Sequence, residues 1–201
     1  MQGKFISFEG TEGVGKTTAI EALITRLVDR GIQVVRTREP GGSELAEQLR
    51  QLFLNPNANM NADTEILLMF AARSDHLHQV ILPAIKSGKW VVSDRFFDST
   101  VAYQGFGRYH GKQAALAKIE LLIEQFVPIY PDVTLWLDLE VVMGMQRAAK
   151  RSAADRLEAN DIAFFERVYQ GLAYQHSQHS NSIRRIDANG TVAEVAARID
   201  T

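Results

Sequence analysis

Five short apolar, β-prone runs separated by amphipathic stretches constrain this chain more than anything else in its sequence. The runs are Lys4–Glu9, Val34–Arg38, Trp90–Asp94, Val133–Leu139 and Ile183–Asp187. Between and after them, helical patterns cover Thr17–Arg30, Ser43–Leu54, Thr64–Ser87, Gln113–Val127, Val141–Lys150, Asp161–His179 and Thr191–Ile199. The spacing of Ile66, Leu67, Phe70 and Ala71 is helical. Several strands are nearly continuous apolar runs, which need cover on both sheet faces. Strand–helix alternation meets that need with a parallel sheet wrapped by helices through right-handed crossovers. Ligands of such sheets bind beyond the carboxyl ends of the strands. The chemistry is therefore expected in the loops after Glu9, Arg38, Asp94 and Leu139. With 201 residues and no linker or repeat, a single domain over 1–201 is the expectation.

The loop after the first strand is GTEGVGKTT, comprising Gly10, Thr11, Glu12, Gly13, Val14, Gly15, Lys16, Thr17 and Thr18. It fits G-x-x-x-x-G-K-[ST], a phosphate-binding loop, with a strand before it and a helix after it. Glycines let the backbone turn its N–H groups onto phosphate oxygens, and the helix N-terminus favours an anion. Lys16 is expected to reach the β- and γ-phosphates of a nucleoside triphosphate, and the Thr17 hydroxyl to join a Mg²⁺ shell. The fold expected is the three-layer α/β fold of P-loop NTPases. It has a five-stranded parallel sheet flanked by helices on both faces.

Such a protein hydrolyses the triphosphate, switches on it, or hands its phosphoryl group to an acceptor. Transfer needs a second anion site, and phosphoryl chemistry is mostly positioning and charge neutralisation. Arginines gather at three strand ends. TREPGG (37–42) follows the second strand and by itself also reads as a polar turn. SDRF (93–96) follows the third, where Asp94 is placed to hold Mg²⁺ directly or through water and Arg95 to bridge two phosphates; a local ion pair is the plainer alternative. Arg147, Lys150, Arg151 and Arg156 lie in or near the segment after the fourth strand. Alone, that Ala-rich basic stretch is a solvated helix face. Beside a phosphate loop it reads as a lid over about 147–160.

Composition narrows the partners. With 22 basic and 24 acidic residues the formal charge is −2, and there is no basic stripe for nucleic acid. No cysteine is present, which removes disulfides, thiol catalysis and Cys-ligated zinc. No stretch approaches a membrane span and the N-terminus carries no signal-peptide core, so a cytoplasmic location is expected. The five histidines are scattered and read as structural or solvated, and Trp90 and Trp136 as core.

Taken in order, FEGTEGVGKTT (8–18), TREPGG (37–42), LLMFAAR (67–73), SDRFFDSTVAYQG (93–105) and DRLE (155–158) resemble the thymidylate kinases of the bacterial type over essentially the whole chain. The resemblance implies transfer of the ATP γ-phosphoryl group to dTMP, giving dTDP and ADP with Mg²⁺, in dTTP synthesis for DNA replication. It places Glu39 and Pro40 beside the deoxyribose, and Arg50 and Arg95 on the acceptor phosphate. Arg73 is placed on the thymine ring with Ser99, Thr100 and Gln104 nearby, and Tyr103 beside the sugar. Glu12 at its position accompanies a lid that supplies the catalytic arginine, for which Arg147 and Arg151 lead. It also implies a homodimer, with Thr64–Ser87 and Gln113–Val127 as candidate interface helices. Two positions depart from the family pattern. Met69 stands where an aromatic residue commonly stacks on thymine, with Phe70 next to it, and one helical step of about 100° keeps the two from pointing the same way. Either Met69 supplies a thioether contact or Phe70 reaches the base. Phe96 stands where tyrosine is common.

These residue types suit the reaction. The acceptor phosphate is already ionised near neutral pH, so no strong general base is demanded. The barrier is largely the approach and alignment of two anions, offset by backbone N–H groups, Mg²⁺, Lys16, Arg95 and a lid arginine. A kinase for another monophosphate fits the Arg73 and Ser99–Gln104 set less well. A nucleotide switch is disfavoured because the sequence carries no guanine-reading N-K-x-D motif. Discrimination against dUMP rests on one methyl group, worth roughly 1 kcal/mol, so dUMP is expected to be a weaker substrate and not a rejected one.

Overall fold

In a computed structural model, which describes residues 3–149, 156–157 and 160–199, all five expected strands form. They are β1 (Phe5–Glu9), β2 (Val34–Arg38), β3 (Trp90–Asp94), β4 (Val133–Asp138) and β5 (Ile183–Asp187). They pair in parallel in the order β2-β3-β1-β4-β5, with Ser7 opposite both Ser93 and Thr134. β1 is buried at every residue, as a central strand between two helical layers must be. The edge strands β2 and β5 are only partly covered and carry Arg36, Arg38, Arg184 and Arg185, charges that oppose edge-to-edge pairing.

The helices are α1 (Lys16–Asp29), α2 (Glu44–Leu54), α3 (Ala62–His76), α4 (Leu82–Lys86), α5 (Phe97–Thr100), α6 (Gln113–Phe126), α7 (Val141–Ala148), α8 (Ile162–Gln178) and α9 (Val192–Ile199). The stretch expected as one helix over Thr64–Ser87 is α3 and α4 joined by a wider π turn at Leu77–Ile81. The ladder opens just before Pro83, which has no N–H to continue it. Among the described residues no helix is long and apolar enough to cross a membrane.

Strand alternation sorts the core onto two sides of the sheet. Phe5 and Val91 pack under α3, α4 and α6 with Ile66, Phe70, Leu77, Ile81 and Ile119. Ile6, Phe8 and Val92 face the other way, against Ile20 and Leu27 of α1 and Ile199 of α9. Trp136 joins a third cluster with Phe164, Phe165 and Val168 of α8.

One helical stretch has no counterpart in the sequence expectation. α5 runs on through a π-helical segment, Val101–Arg108, which lies along α8. Its fit is tight. A Cβ on Gly107 would stand 2.6 Å from the ring of Phe164, and one on Gly171 of α8 would stand 2.6 Å from the Ala102 Cα. This segment carries Tyr103 and Gln104 to the carboxyl edge of the sheet.

Candidate active site

β1 delivers the chain into the phosphate loop and α1 begins at Lys16. Gly15 caps α1 with φ 94°, in the left-handed region, and no side chain caps the helix. The first-turn N–H groups thus face the loop, an arrangement that suits an anion. Lys16 is buried, with Nζ donating to the carbonyls of Gly10 (3.1 Å) and Thr11 (3.3 Å). Burial and the nearby Arg95 lower its pKa, while Glu12, Asp94 and Glu9 oppose that shift. Gly13 is required by a close approach: a Cβ there would fall on the Gly144 carbonyl of α7, and a Cβ on Gly144 would crowd the Glu12 carbonyl.

Arg95 stands at the head of the site, in the left-handed region at φ 74° although it is not glycine. Such a conformation persists only where its surroundings enforce it. Its N–H donates to the Phe8 carbonyl (2.9 Å). Nη1 donates to the Gly10 carbonyl (2.9 Å) and Ser99 Oγ (3.2 Å). Nη2 donates to Glu12 Oε1 (2.7 Å) and Tyr103 Oη (2.9 Å). The Tyr103 hydroxyl in turn donates to Glu12 Oε1 (2.9 Å). Burial pushes the Glu12 pKa up, but Arg95 and Lys16 outweigh it and hold the carboxyl below its ordinary value. Burial raises the tyrosine hydroxyl well above its ordinary range, so it stays a donor.

Under Arg95 lies Glu9, the last residue of β1, 1% exposed. It accepts from the Phe96 N–H (2.8 Å), the Ser99 N–H (3.3 Å) and the Ser99 hydroxyl (2.5 Å), and stands 3.9 Å from Arg95. α5 has no side-chain cap of its own, so Glu9 caps it from another strand. Burial, with the charge of Asp98 nearby, raises the Glu9 pKa to about 7.

The far end of the cleft is built on Arg73 of α3, 3% exposed. Nε donates to Glu39 Oε2 (2.7 Å) and Nη2 to Thr100 Oγ1 (3.0 Å). The rings of Phe70 and Phe96 lie 5.0 and 5.4 Å from its guanidinium carbon. Its Nη1 is buried and has no hydrogen-bond partner among the described residues. An unpaired buried donor costs about 1–3 kcal/mol, which marks a place for a ligand acceptor atom. His76 supports the arrangement: it is fully buried, with Nδ1 3.0 Å from Glu39 Oε1 and Nε2 2.6 Å from Thr37 Oγ1. The Glu39–Pro40 bond is cis, and Arg50 of α2 donates to the Pro40 carbonyl (2.8 Å).

One cleft thus brings together the loop residues Glu12 to Thr17 with Glu39, Pro40, Arg50, Met69, Arg73, Asp94, Arg95, Ser99, Thr100, Tyr103 and Gln104. Phe70 does not line it. It packs in the core beside Arg73, and Met69 takes the cleft wall. Phe96 is buried, lines the same cleft and flanks Arg73 through its ring. Arg147 is half-buried in the last turn of α7, and Arg151 lies outside the described residues. Glu9 and Glu65 are among the buried acids that were not singled out in the sequence. Glu9 stands inside the quoted FEG but has no motif role. Glu65 sits in the first turn of α3 and accepts from Gln104, Arg108 and Arg156. The signal that finds both is an acid in an otherwise apolar run.

The donor set also fits Mg²⁺. Asp94 Oδ1 is buried with no hydrogen-bond partner among the described residues, and Thr17 lines the same cleft. One carboxylate and one hydroxyl match an ion that keeps waters and phosphate oxygens as its other ligands. Among the described residues there is no cluster of three His, Cys, Asp or Glu that would hold a metal by itself.

Comparison with known proteins identifies the family. The thymidylate kinase family model matches residues 8–199. The chain is 64% identical over 197 residues to the thymidylate kinase of Psychrobacter sp. (strain PRwf-1), covering 98% of this chain and 95% of that one. It is 50% identical over 186 residues to that of Acinetobacter baylyi, covering 92% and 90%. The crystal structure of thymidylate kinase from Ehrlichia chaffeensis superposes with a TM-score of 0.79 at 30% identity, covering 100% of this chain and 98% of that one. The chain belongs to the thymidylate kinase family of P-loop phosphotransferases, whose activity is the phosphorylation of dTMP.

Proposed function

We propose that the cleft binds ATP at the phosphate loop and dTMP at the Arg73 end, and transfers the γ-phosphoryl group between them. The observation that carries this reading is Arg73 Nη1, a buried donor without a partner among the described residues, in a wall held by Glu39, Thr100 and two aromatic rings. A base carbonyl would satisfy it. The loop N–H groups and Lys16 would hold the donor phosphates. Arg95, fixed by Glu12 and Tyr103 between the loop and the acceptor wall, would neutralise charge as the two anions meet. Met69 would lie against the thymine face, Glu39 and Pro40 beside the sugar, and Arg50 with Arg95 on the acceptor phosphate. Asp94 and Thr17 would hold Mg²⁺, which supplies further neutralisation of the phosphates when bound. Arg147 would close from α7 over the donor.

The whole chain would act as one kinase unit, in the cytoplasm, as a homodimer. Leu45 of α2, Leu67 of α3 and Phe126 of α6 are 50%, 61% and 49% exposed around one apolar groove, and a second copy would cover them. Sedimentation of Leu67→Glu should then show a monomer; an unchanged dimer would place the interface elsewhere.

The deciding test incubates the protein with ATP and Mg²⁺ and offers dTMP, dUMP, dCMP, AMP, GMP or no acceptor. dTDP should dominate, with little ADP when no acceptor is present. Equal ATP hydrolysis with and without every acceptor would overturn the transfer reading.

A further inference from the structure

We infer that Glu65 is a positioning residue for base selection: it holds the Gln104 amide so that the carbonyl oxygen, an acceptor, is the end offered to the acceptor base. This rests on the dTMP reading above. Glu65 is 2% exposed, and its carboxylate is crowded with donors. Oε1 accepts from Arg108 Nε (3.1 Å) and Arg156 Nη1 (2.8 Å). Oε2 accepts from Gln104 Nε2 (3.1 Å) and again from Arg108 Nε (3.3 Å). A carboxylate facing two guanidiniums has only lone pairs to offer a third neighbour. Gln104 can therefore meet it only through the amide nitrogen. Turning the amide over would set two oxygens against each other in a buried site, since Gln104 is also 2% exposed.

Gln104 and Arg73 both line the cleft. Together they present a carbonyl acceptor and the guanidinium donor Nη1. That pair complements the thymine or uracil edge, where a ring N–H stands beside a carbonyl. It opposes cytosine at both atoms, where a bare ring nitrogen stands beside an amino group. Without Glu65 the Gln104 amide can turn over and relieve one of the two mismatches with cytosine, so part of the selectivity of the wall depends on a residue that does not touch the base.

The test measures kcat/KM for dTMP, dUMP and dCMP in the wild type, Glu65→Gln, Gln104→Met and the double variant. Glu65→Gln should lower the dTMP:dCMP ratio by roughly tenfold or more, as expected when a mispaired polar group is relieved. The dTMP:dUMP ratio should stay within about twofold, because both bases share the edge that the amide reads. Gln104→Met should lower the dTMP:dCMP ratio at least as far, and adding Glu65→Gln to it should change that ratio no further. A purely structural role would lower kcat/KM for all three substrates by one factor and leave both ratios in place, which overturns the inference. So would additive effects in the double variant. If Glu65→Gln does not fold, the same ratios are read in Glu65→Asp, which keeps a charge for the arginines but withdraws it from Gln104. A wild type that makes dTDP with ratios insensitive to position 65 sinks only this inference; a wild type that makes no dTDP sinks the dTMP reading as well.

Discussion

Gly171→Ala probes how closely α8 fixes the 101–108 segment, which the proposed function places against the substrate. Alanine is the better helix former, by about 0.8–1 kcal/mol at an interior position, so propensity alone predicts a stabilised protein. Contact predicts the reverse. The new Cβ would stand 2.6 Å from the Ala102 Cα and 3.1 Å from the Cβ atoms of Ala102 and Phe106. Ordinary carbon contacts begin near 3.5 Å, so α8 and the 101–108 segment must part by about 1 Å. The nearest atom is backbone, and no rotamer change relieves it. Overpacking of this kind costs about 1–3 kcal/mol. Net of propensity we expect a loss of roughly 0–2 kcal/mol, or a thermal midpoint lower by up to about 8 °C at about 2–4 °C per kcal/mol for a chain of this size. The displaced segment carries Tyr103 and Gln104, and a 1 Å misplacement of positioning groups can cost on the order of 100-fold in rate. Thermal unfolding and steady-state transfer to dTMP read the two effects. A raised midpoint with unchanged kcat/KM would refute the reasoning, because it would mean that α8 tolerates a side chain where the structure leaves no room for one.

Arg73→Met should destabilise by about 3–5 kcal/mol in urea titrations, since it leaves Glu39 buried without its guanidinium partner. Adding Glu39→Gln should recover part of that loss, and no recovery would show that the pair is not what holds this wall. Glu9 has its pKa raised from 4.5 to about 7, so the folded state holds a proton there that the unfolded state releases. Wild type should therefore lose stability relative to Glu9→Gln as pH rises from 4.5 to 7; parallel urea midpoints between pH 5 and 8 would contradict this. Chelating Mg²⁺ should stop transfer, and Asp94→Asn should raise the Mg²⁺ concentration for half-maximal rate by roughly tenfold. An unchanged requirement would take Asp94 out of the metal site.

Strands were legible because a sheet buried on both faces demands apolar runs, and their ends fall within one residue of the expected ones. The phosphate loop was legible because its backbone needs glycine at fixed spacing. The helical stretch 97–108 was not. Its cap, Glu9, is 87 residues away in the chain, and Thr100, Val101, Gly105 and Gly107 are poor helix formers locally. Tertiary fit against α8 overrides that preference. Glu65 was hidden for a similar reason, since Arg108 and Arg156 reach it from 43 and 91 residues away. The choice between Met69 and Phe70 turned on helix rotation relative to the core. α3 places Phe70 inward with Ile66 and Leu77, which leaves Met69 for the cleft.

The meeting of Gly13 and Gly144 has a mechanical consequence. Elsewhere in the core, side chains separate the backbones and act as springs that absorb small displacements. Here two main chains touch with nothing compressible between them. The loop proposed to hold the donor and α7 are therefore coupled stiffly at this contact. Any tightening of the loop around a triphosphate is passed to α7 as a rigid displacement, three residues before Arg147.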